Sequence, residues 1–224
     1  VFVPTRGRPA KAVELELQVR KTIRATTTVV FVVDADDPLR DAYTSLELTT
    51  LVVPAARDGM VAALNRAWES YVVGEQTAVA FMGDDHRPRT DGWDAAYLAA
   101  LNELGTGLVY GNDLVHGAAL PTQVAMTSDI PRALGYMAPP VLSHLYVDNF
   151  WHELGSTLDR VRYLADVVVE HMHPLVGKAA DDEGYRRVNA PDRHAADRAA
   201  FEGYMHDGFA GDVAKVRAVM VPRG

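Results

Sequence analysis

The sequence predicts an α/β protein with a mainly parallel central sheet flanked by helices, and three observations predict it. Short apolar runs rich in β-branched residues alternate with stretches whose apolar positions recur every three or four residues. Several of the apolar runs stop abruptly in loops bearing Pro, Gly or Asp. The 224 residues, 48% hydrophobic and 23% charged, suffice for one sizeable core.

Taken in order, "VFVP" is a short buried strand ended by Pro4, and a helical pattern runs through "AKAVELELQVRKTI". "TTTVVFVV" is a second strand that ends in "DADDP", and "LELTTLVVP" is a third. "DGMVAALNRAWESYV" is a helix with Asp58 and Gly59 at its start, and "TAVAFMG" is a fourth strand. "DGWDAAYLAALNEL" is helical and "GLVYGND" strand-like. The second half is less regular. It holds a strand and capped helix in "LPTQVAMTSDI", a helix start in "HLYVDNFWHELG", a strand or hairpin in "RVRYLADVVVEHMHP", and charged, alanine-rich helix from about Ala180. No repeat or linker interrupts the chain, so it reads as one domain over 1–224 with a nucleotide-type first half.

Composition narrows the chemistry. With no cysteine, disulfides, thiolate zinc sites and cysteine nucleophiles are excluded. A metal would need Asp, Glu, His or backbone oxygen, which favours Mn²⁺ or Mg²⁺. No apolar run reaches the roughly 18 residues that span a bilayer, and no signal-peptide pattern opens the given sequence, so a cytoplasmic protein is expected. The net charge of −8 argues against nucleic-acid binding by bulk attraction. A local basic groove from Arg6, Arg8, Arg57, Arg66, Arg87 and Arg89 is not excluded. Phosphate-loop, dinucleotide, nucleophile-elbow and HExxH motifs are absent.

In a parallel sheet, ligands sit beyond the carboxyl ends of the strands. Pro4-Thr5-Arg6, Asp34-Ala35-Asp36 and Asp84-Asp85-His86 all occupy such ends. Asp84 and Asp85 read either as a polar turn or as paired carboxylates holding a divalent cation against a diphosphate. In "VVVEHMHP", strand parity turns Val167, Val169, His171 and His173 one way, and neutral imidazoles partner carboxylates well on Mn²⁺. Lys178 and Tyr185 in "GKAADDEGYRR" are candidates for phosphate oxygens. Asp148, among aromatics in "LYVDNFWHE", is either a helix N-cap or a general base raised by desolvation.

Together these residues resemble the GT-A glycosyltransferases of family 2 type, over nearly the whole chain from "VPTRGRP" to "GKAADDEGY". The wording "FMGDDHRPRTDGWD" is similar to small enzymes of bacteriophages and actinobacteria. The resemblance implies a nucleotide-sugar-binding half over about 1–115 and an acceptor and metal-completing half over about 116–224. It places Pro4, Thr5 and Arg6, Asp34 and Asp36, and Asn65 of the "ALN.A" pattern at the nucleotide sugar. It implies Asp85 on the cation, Asp84 towards the ribose, His173 or His171 completing the metal site, and Asp148 as catalytic base. Here "VD" stands where the family usually has "ED", and Gly83-Asp84-Asp85 replaces the usual D-x-D. The implied reaction moves a sugar from a nucleoside diphosphate sugar, a uridine form first, to an acceptor hydroxyl. A modified base in phage DNA is a minority reading of the acceptor. A sugar-phosphate nucleotidyltransferase and a non-catalytic nucleotide-sugar-binding module are the competing readings.

Overall fold

In the computed structural model the described residues are 1–55, 59–71, 77–173, 177–178, 186 and 189–221. Strands β1 (Phe2–Thr5), β2 (Val30–Asp34), β3 (Thr50–Val53) and β4 (Ala78–Phe81) lie parallel in the order β3-β2-β1-β4. The sheet continues through β7 (Val124–Thr127), β6 (Leu108–Asn112) and β8 (Val161–His171) to β5 (His86–Pro88). β6 and β8 pair in parallel, whereas β7 runs against β4 and β6, and β5 against β8. The expected α/β sheet is present, parallel throughout its first half, and its antiparallel steps come from two short strands.

Alternation along the strands explains the two-sided burial. Phe2, Val30 and Val32 enter one core cluster, while Val3, Phe31 and Val33 enter the other. Helices α1 (Pro9–Thr22), α2 (Arg40–Ser45) and α4 (Trp93–Leu104) cover the second cluster through Leu15, Tyr43 and Tyr97. The opposite face receives α3 (Met60–Tyr71), α5 (Asp129–Leu134), α6 (Val147–Leu158), α7 (Pro191–Asp207) and α8 (Phe209–Val219). Leu64, Phe150, Trp151 and Leu154 are fully buried there, and each such side chain contributes roughly 1.5–3 kcal/mol relative to exposure. The indole of Trp151 donates to the Met137 carbonyl at 2.8 Å, so the large ring leaves no polar atom unsatisfied.

Two local features set the entry to α6. Gly59 has φ +95°, and a Cβ there would lie 2.4 Å from the Ser143 carbonyl oxygen, which accepts from Val61 N–H. From α7, the buried Asp197 carboxylate accepts from Ser143 N and Oγ, His144 N and Leu145 N at 2.8–3.0 Å. The segment before α6 is thus held from both sides.

Candidate active site

The carboxyl ends of β1, β2 and β4 open into a cleft of about 510 Å³. Pro4, Thr5, Arg6, Asp34, Asp36, Asp84 and Asp85 line it from the first half, and His116, Asp148, His171 and His173 from the second. The three predicted strand-end loops therefore converge, and the predicted base and histidines face them.

The first-half groups are knitted to one another. Arg6 donates to Asp34 Oδ2 at 3.2 Å and to Asp36 Oδ1 at 2.5 Å. Thr5 Oγ1 donates to Asp84 Oδ2 at 2.7 Å, and Arg8 Nη1 sits 3.2 Å from Asp84 Oδ1. Burial raises the Asp84 carboxyl, and the charge of Asp85 adds to this against the pull of Arg8 and Thr5.

Gly83 leaves room for the Asp85 carboxylate, since a Cβ there would lie 2.5 Å from Asp85 Oδ1 and would push that side chain aside. The antiparallel pairing of β5 with β8 sets His86 against His171, and Met172 N–H donates to the Asp85 carbonyl at 2.9 Å. Asp85, His86 and His171 consequently offer ligand atoms within 4.8 Å of one another. His171 Nε2 is 3.5 Å from Asp85 Oδ2, and its buried Nδ1 has no hydrogen-bond partner among the described residues. In His86, Nδ1 accepts from Gly83 N–H at 3.0 Å and Nε2 lies 3.4 Å from Thr122 Oγ1. Both its nitrogens are engaged, so Asp85 and His171 are the members best placed to hold a cation. Burial pushes the Asp85 carboxyl up, but the neighbouring imidazoles of His171 at 3.5 Å and His86 at 3.4 Å outweigh it and hold the group well below the usual carboxylate range. His173 lines the cleft with its ring edge-on to His171 at 4.8 Å, and burial lowers its pKa, which favours the neutral, ligating form. A carboxylate with imidazole nitrogens, one of them buried and without a partner among the described residues, is a donor set that fits Mn²⁺.

Asp148 is not the N-cap of α6. Tyr146 occupies that position with φ +65°, and Asp148 lies within the first turn, its Oδ1 accepting from Asn149 N–H at 2.9 Å. Burial raises its pKa against the opposing pull of that bond and of His116 and His171. A carboxyl raised towards neutrality and facing a cleft is suited to take a proton.

No protein-family profile and no curated protein matches the sequence. Solved structures do match in fold. The mannosyltransferase PcManGT from Pyrobaculum calidifontis, in complex with GDP-Man and Mn²⁺, has a TM-score of 0.61 at 18% identity over 97% of this chain and 72% of that one. Glucosyl-3-phosphoglycerate synthase from Mycobacterium tuberculosis, in complex with Mn²⁺, UDP and phosphoglyceric acid, gives 0.60 at 11% identity over 89% and 76%. TarS of S. aureus (residues 1–349) gives 0.56 at 17% identity over 93% and 73%. The fold is that of the GT-A glycosyltransferases.

Within this GT-A fold some expected residues stand elsewhere. Asn65 does not line the cleft. It is buried, donating to Ala138 O at 2.8 Å and accepting from Met137 and Ala138 N–H at 3.0 and 3.1 Å, so its amide splices α3 to the loop before α6. Lys178 pairs with Glu170 Oε1 at 2.7 Å and is not among the lining residues, since that carboxylate offers it a closer partner. Tyr185 and Arg57 lie outside the described residues. The remaining arginines of the expected groove are engaged. Arg66 bonds Pro54 O, Arg89 pairs with Glu170, and the buried Arg87 holds Asp84 O, His86 O and Glu14.

Sequence reading missed Asp113, His116, Thr122 and His144. Only the "GND" at the end of β6, followed by Gly117, signalled a turn rich in side-chain acceptors. His144 lines the cleft, and burial lowers its pKa to about 4. Among the described residues no helix is long and apolar enough to cross a membrane.

Proposed function

We propose that this chain is a divalent-metal-dependent glycosyltransferase that moves a sugar from a nucleoside diphosphate sugar, a UDP-sugar first, to an acceptor hydroxyl with inversion. The observation that carries the proposal is one cleft in a GT-A fold where Asp85 and His171 stand together and a half-buried, raised Asp148 faces them. The ligands named for the similar structures, GDP-Man with Mn²⁺, UDP with Mn²⁺ and UDP-GlcNAc, support the donor class.

Asp85 and His171, with His173 beside them, are the residues that would hold the cation, which when bound supplies positive charge against a departing diphosphate. Thr5, Arg6, Asp34, Asp36 and Asp84 shape the nucleotide end of the cleft. Asp148 takes the proton of the acceptor hydroxyl as that oxygen bonds to the anomeric carbon. The carbon–oxygen bond to phosphate breaks, and its electron pair leaves with the nucleoside diphosphate. The wording of "FMGDDHRPRTDGWD" keeps the small phage and actinobacterial enzymes as the subtype within this proposal. A DNA acceptor has less to stand on, because most arginines of the expected groove are paired.

The test is thermal melting with UDP, with and without Mn²⁺, alongside UDP release from UDP-sugars. A joint UDP and Mn²⁺ stabilisation that Asp85→Ala loses supports the proposal. Equal stabilisation of parent and variant overturns the metal assignment, and pyrophosphate release from UTP plus a sugar phosphate favours a nucleotidyltransferase instead.

A further inference from the structure

The loop after β6 holds a second group of chemistry-bearing side chains that the proposed reaction does not use. Asp113 is 1% exposed, yet it accepts five hydrogen bonds. Its Oδ1 takes the backbone N–H groups of Val115, His116 and Gly117 at 2.7–2.9 Å. Its Oδ2 takes Thr122 Oγ1 at 3.0 Å and stands 3.1 Å from His116 Nδ1. Burial works against the charge, but the three N–H groups and His116 outweigh it and lower the carboxyl to about 2. Asp113 is thus an anion at any ordinary pH.

An ionised carboxylate at that distance fixes the proton of His116 on Nδ1. Nε2 lies on the other side of the ring and makes no hydrogen bond among the described residues. The ring is 37% exposed and lines the same cleft as Asp148. The loop is built for this one orientation, with Leu114 at φ +60° and Gly117 at φ +55°. The cleft therefore presents two hydrogen-bond acceptors, the carboxylate of Asp148 and Nε2 of His116, beside the apolar Leu120 and Trp151.

We propose that Asp113 and His116 form an acceptor-binding pair, in which Nε2 of His116 accepts a hydrogen bond from a hydroxyl neighbouring the one that Asp148 deprotonates. The acceptor class is then a polyol or saccharide carrying at least two nearby hydroxyls, rather than a lone alcohol. Asp113 is a positioning residue that acts through the imidazole, and Thr122 shares its carboxylate and touches His86, tying this loop to the Asp85 turn. This inference rests on the glycosyltransferase reading for the role of Asp148.

The experiment follows the histidine side-chain nitrogens of the full chain by NMR, with UDP and Mg²⁺ present, during titration with glycerol, methyl α-glucopyranoside and 1-propanol. His116→Phe identifies the His116 signals. The expected result is a proton on Nδ1, a shift of Nε2 with both polyols, and no shift with 1-propanol. In Asp113→Asn the apparent affinity for the polyols falls about tenfold, the loss of one well-placed hydrogen bond. Should that variant fail to fold, His116→Phe carries the test by losing the polyol-induced shifts elsewhere in the cleft, with His116→Gln restoring part of them. The pair is overturned if the polyols leave Nε2 unmoved, if 1-propanol moves it equally, or if His116→Phe binds polyols as the parent does. Failure of UDP and Mn²⁺ to stabilise the chain together sinks the donor reading instead, and the polyol titration reads His116 either way.

Discussion

The two walls of the cleft are built on opposite principles. On the wall from β1, β2 and β4, charges answer one another: Arg6 meets Asp34 and Asp36, and Asp84 meets Arg8 and Thr5. On the wall from β8 and α6, a buried ring nitrogen of His171 lacks a partner among the described residues, Tyr146 holds φ +65°, and Asp148 is raised by burial. An unpaired buried polar atom costs about 1–3 kcal/mol, and a left-handed non-glycine residue a similar amount. One wall is cross-bonded throughout, although burial and the charge of Asp85 still raise Asp84 within it. The other stores cost where the proposed chemistry occurs, and the surrounding core holds it there.

The sharpest way to break this contrast is Asp148→Asn. Turnover is expected to fall about 10²–10⁴-fold, the usual size of a general-base contribution, measured as nucleoside diphosphate release. Stability is expected to move the other way. Burial makes the folded protein hold the Asp148 proton more tightly than the unfolded chain does. Ionisation therefore destabilises the fold as pH rises from the unfolded value through the folded one. The variant should melt higher than the parent at neutral pH, and the two should converge in acid. Full turnover in the variant removes Asp148 as base, and a lower melting point at neutral pH removes the stored cost.

Asp85→Ala comes next, with the apparent Mn²⁺ affinity in the presence of UDP falling by at least about tenfold in a titration. The cross-bonded wall should respond differently. Asp84→Ala strips Thr5 and Arg8 of their shared acceptor and should lower stability by about 1–3 kcal/mol in denaturant unfolding. Asn65→Ala breaks three buried hydrogen bonds and should cost a similar amount, while UDP affinity stays unchanged. A loss of UDP binding without a loss of stability would restore Asn65 to the nucleotide site. The smallest effect belongs to Lys178→Ala, within about 1 kcal/mol in stability and without change in turnover. A tenfold loss of turnover would show that Lys178 leaves Glu170 to reach the diphosphate.

Much of the fold was legible because burial writes itself into composition. The runs at β1, β2 and β4 are apolar on both faces, and the periodicity of α1, α3 and α4 is that of helices against a sheet. Direction was not legible. The antiparallel course of β7 leaves no mark on "QVAMT", and β5, three residues ending in a proline on the sheet edge, looks like loop. The site divides the same way. That Asp85, Asp148, His171 and His173 line one cleft was legible because each sits at the end or start of a recognisable element. Asp113 and His116 were missed because their roles exist only through a turn, and Asn65 matched a sequence pattern whose amide the loop at Met137 and Ala138 had already taken.

By itself the sequence determined the α/β class, the strand ends where ligands gather and the restriction of any metal to oxygen and imidazole, since hydrophobic periodicity and residue inventory are local properties. Tertiary structure decided that β5 lies against β8. That pairing sets His86 against His171, brings His171 to Asp85, and leaves one ring nitrogen buried and without a partner among the described residues. Hydrogen-bond register between distant segments is a collective property of the folded sheet, and no short stretch of the chain carries it.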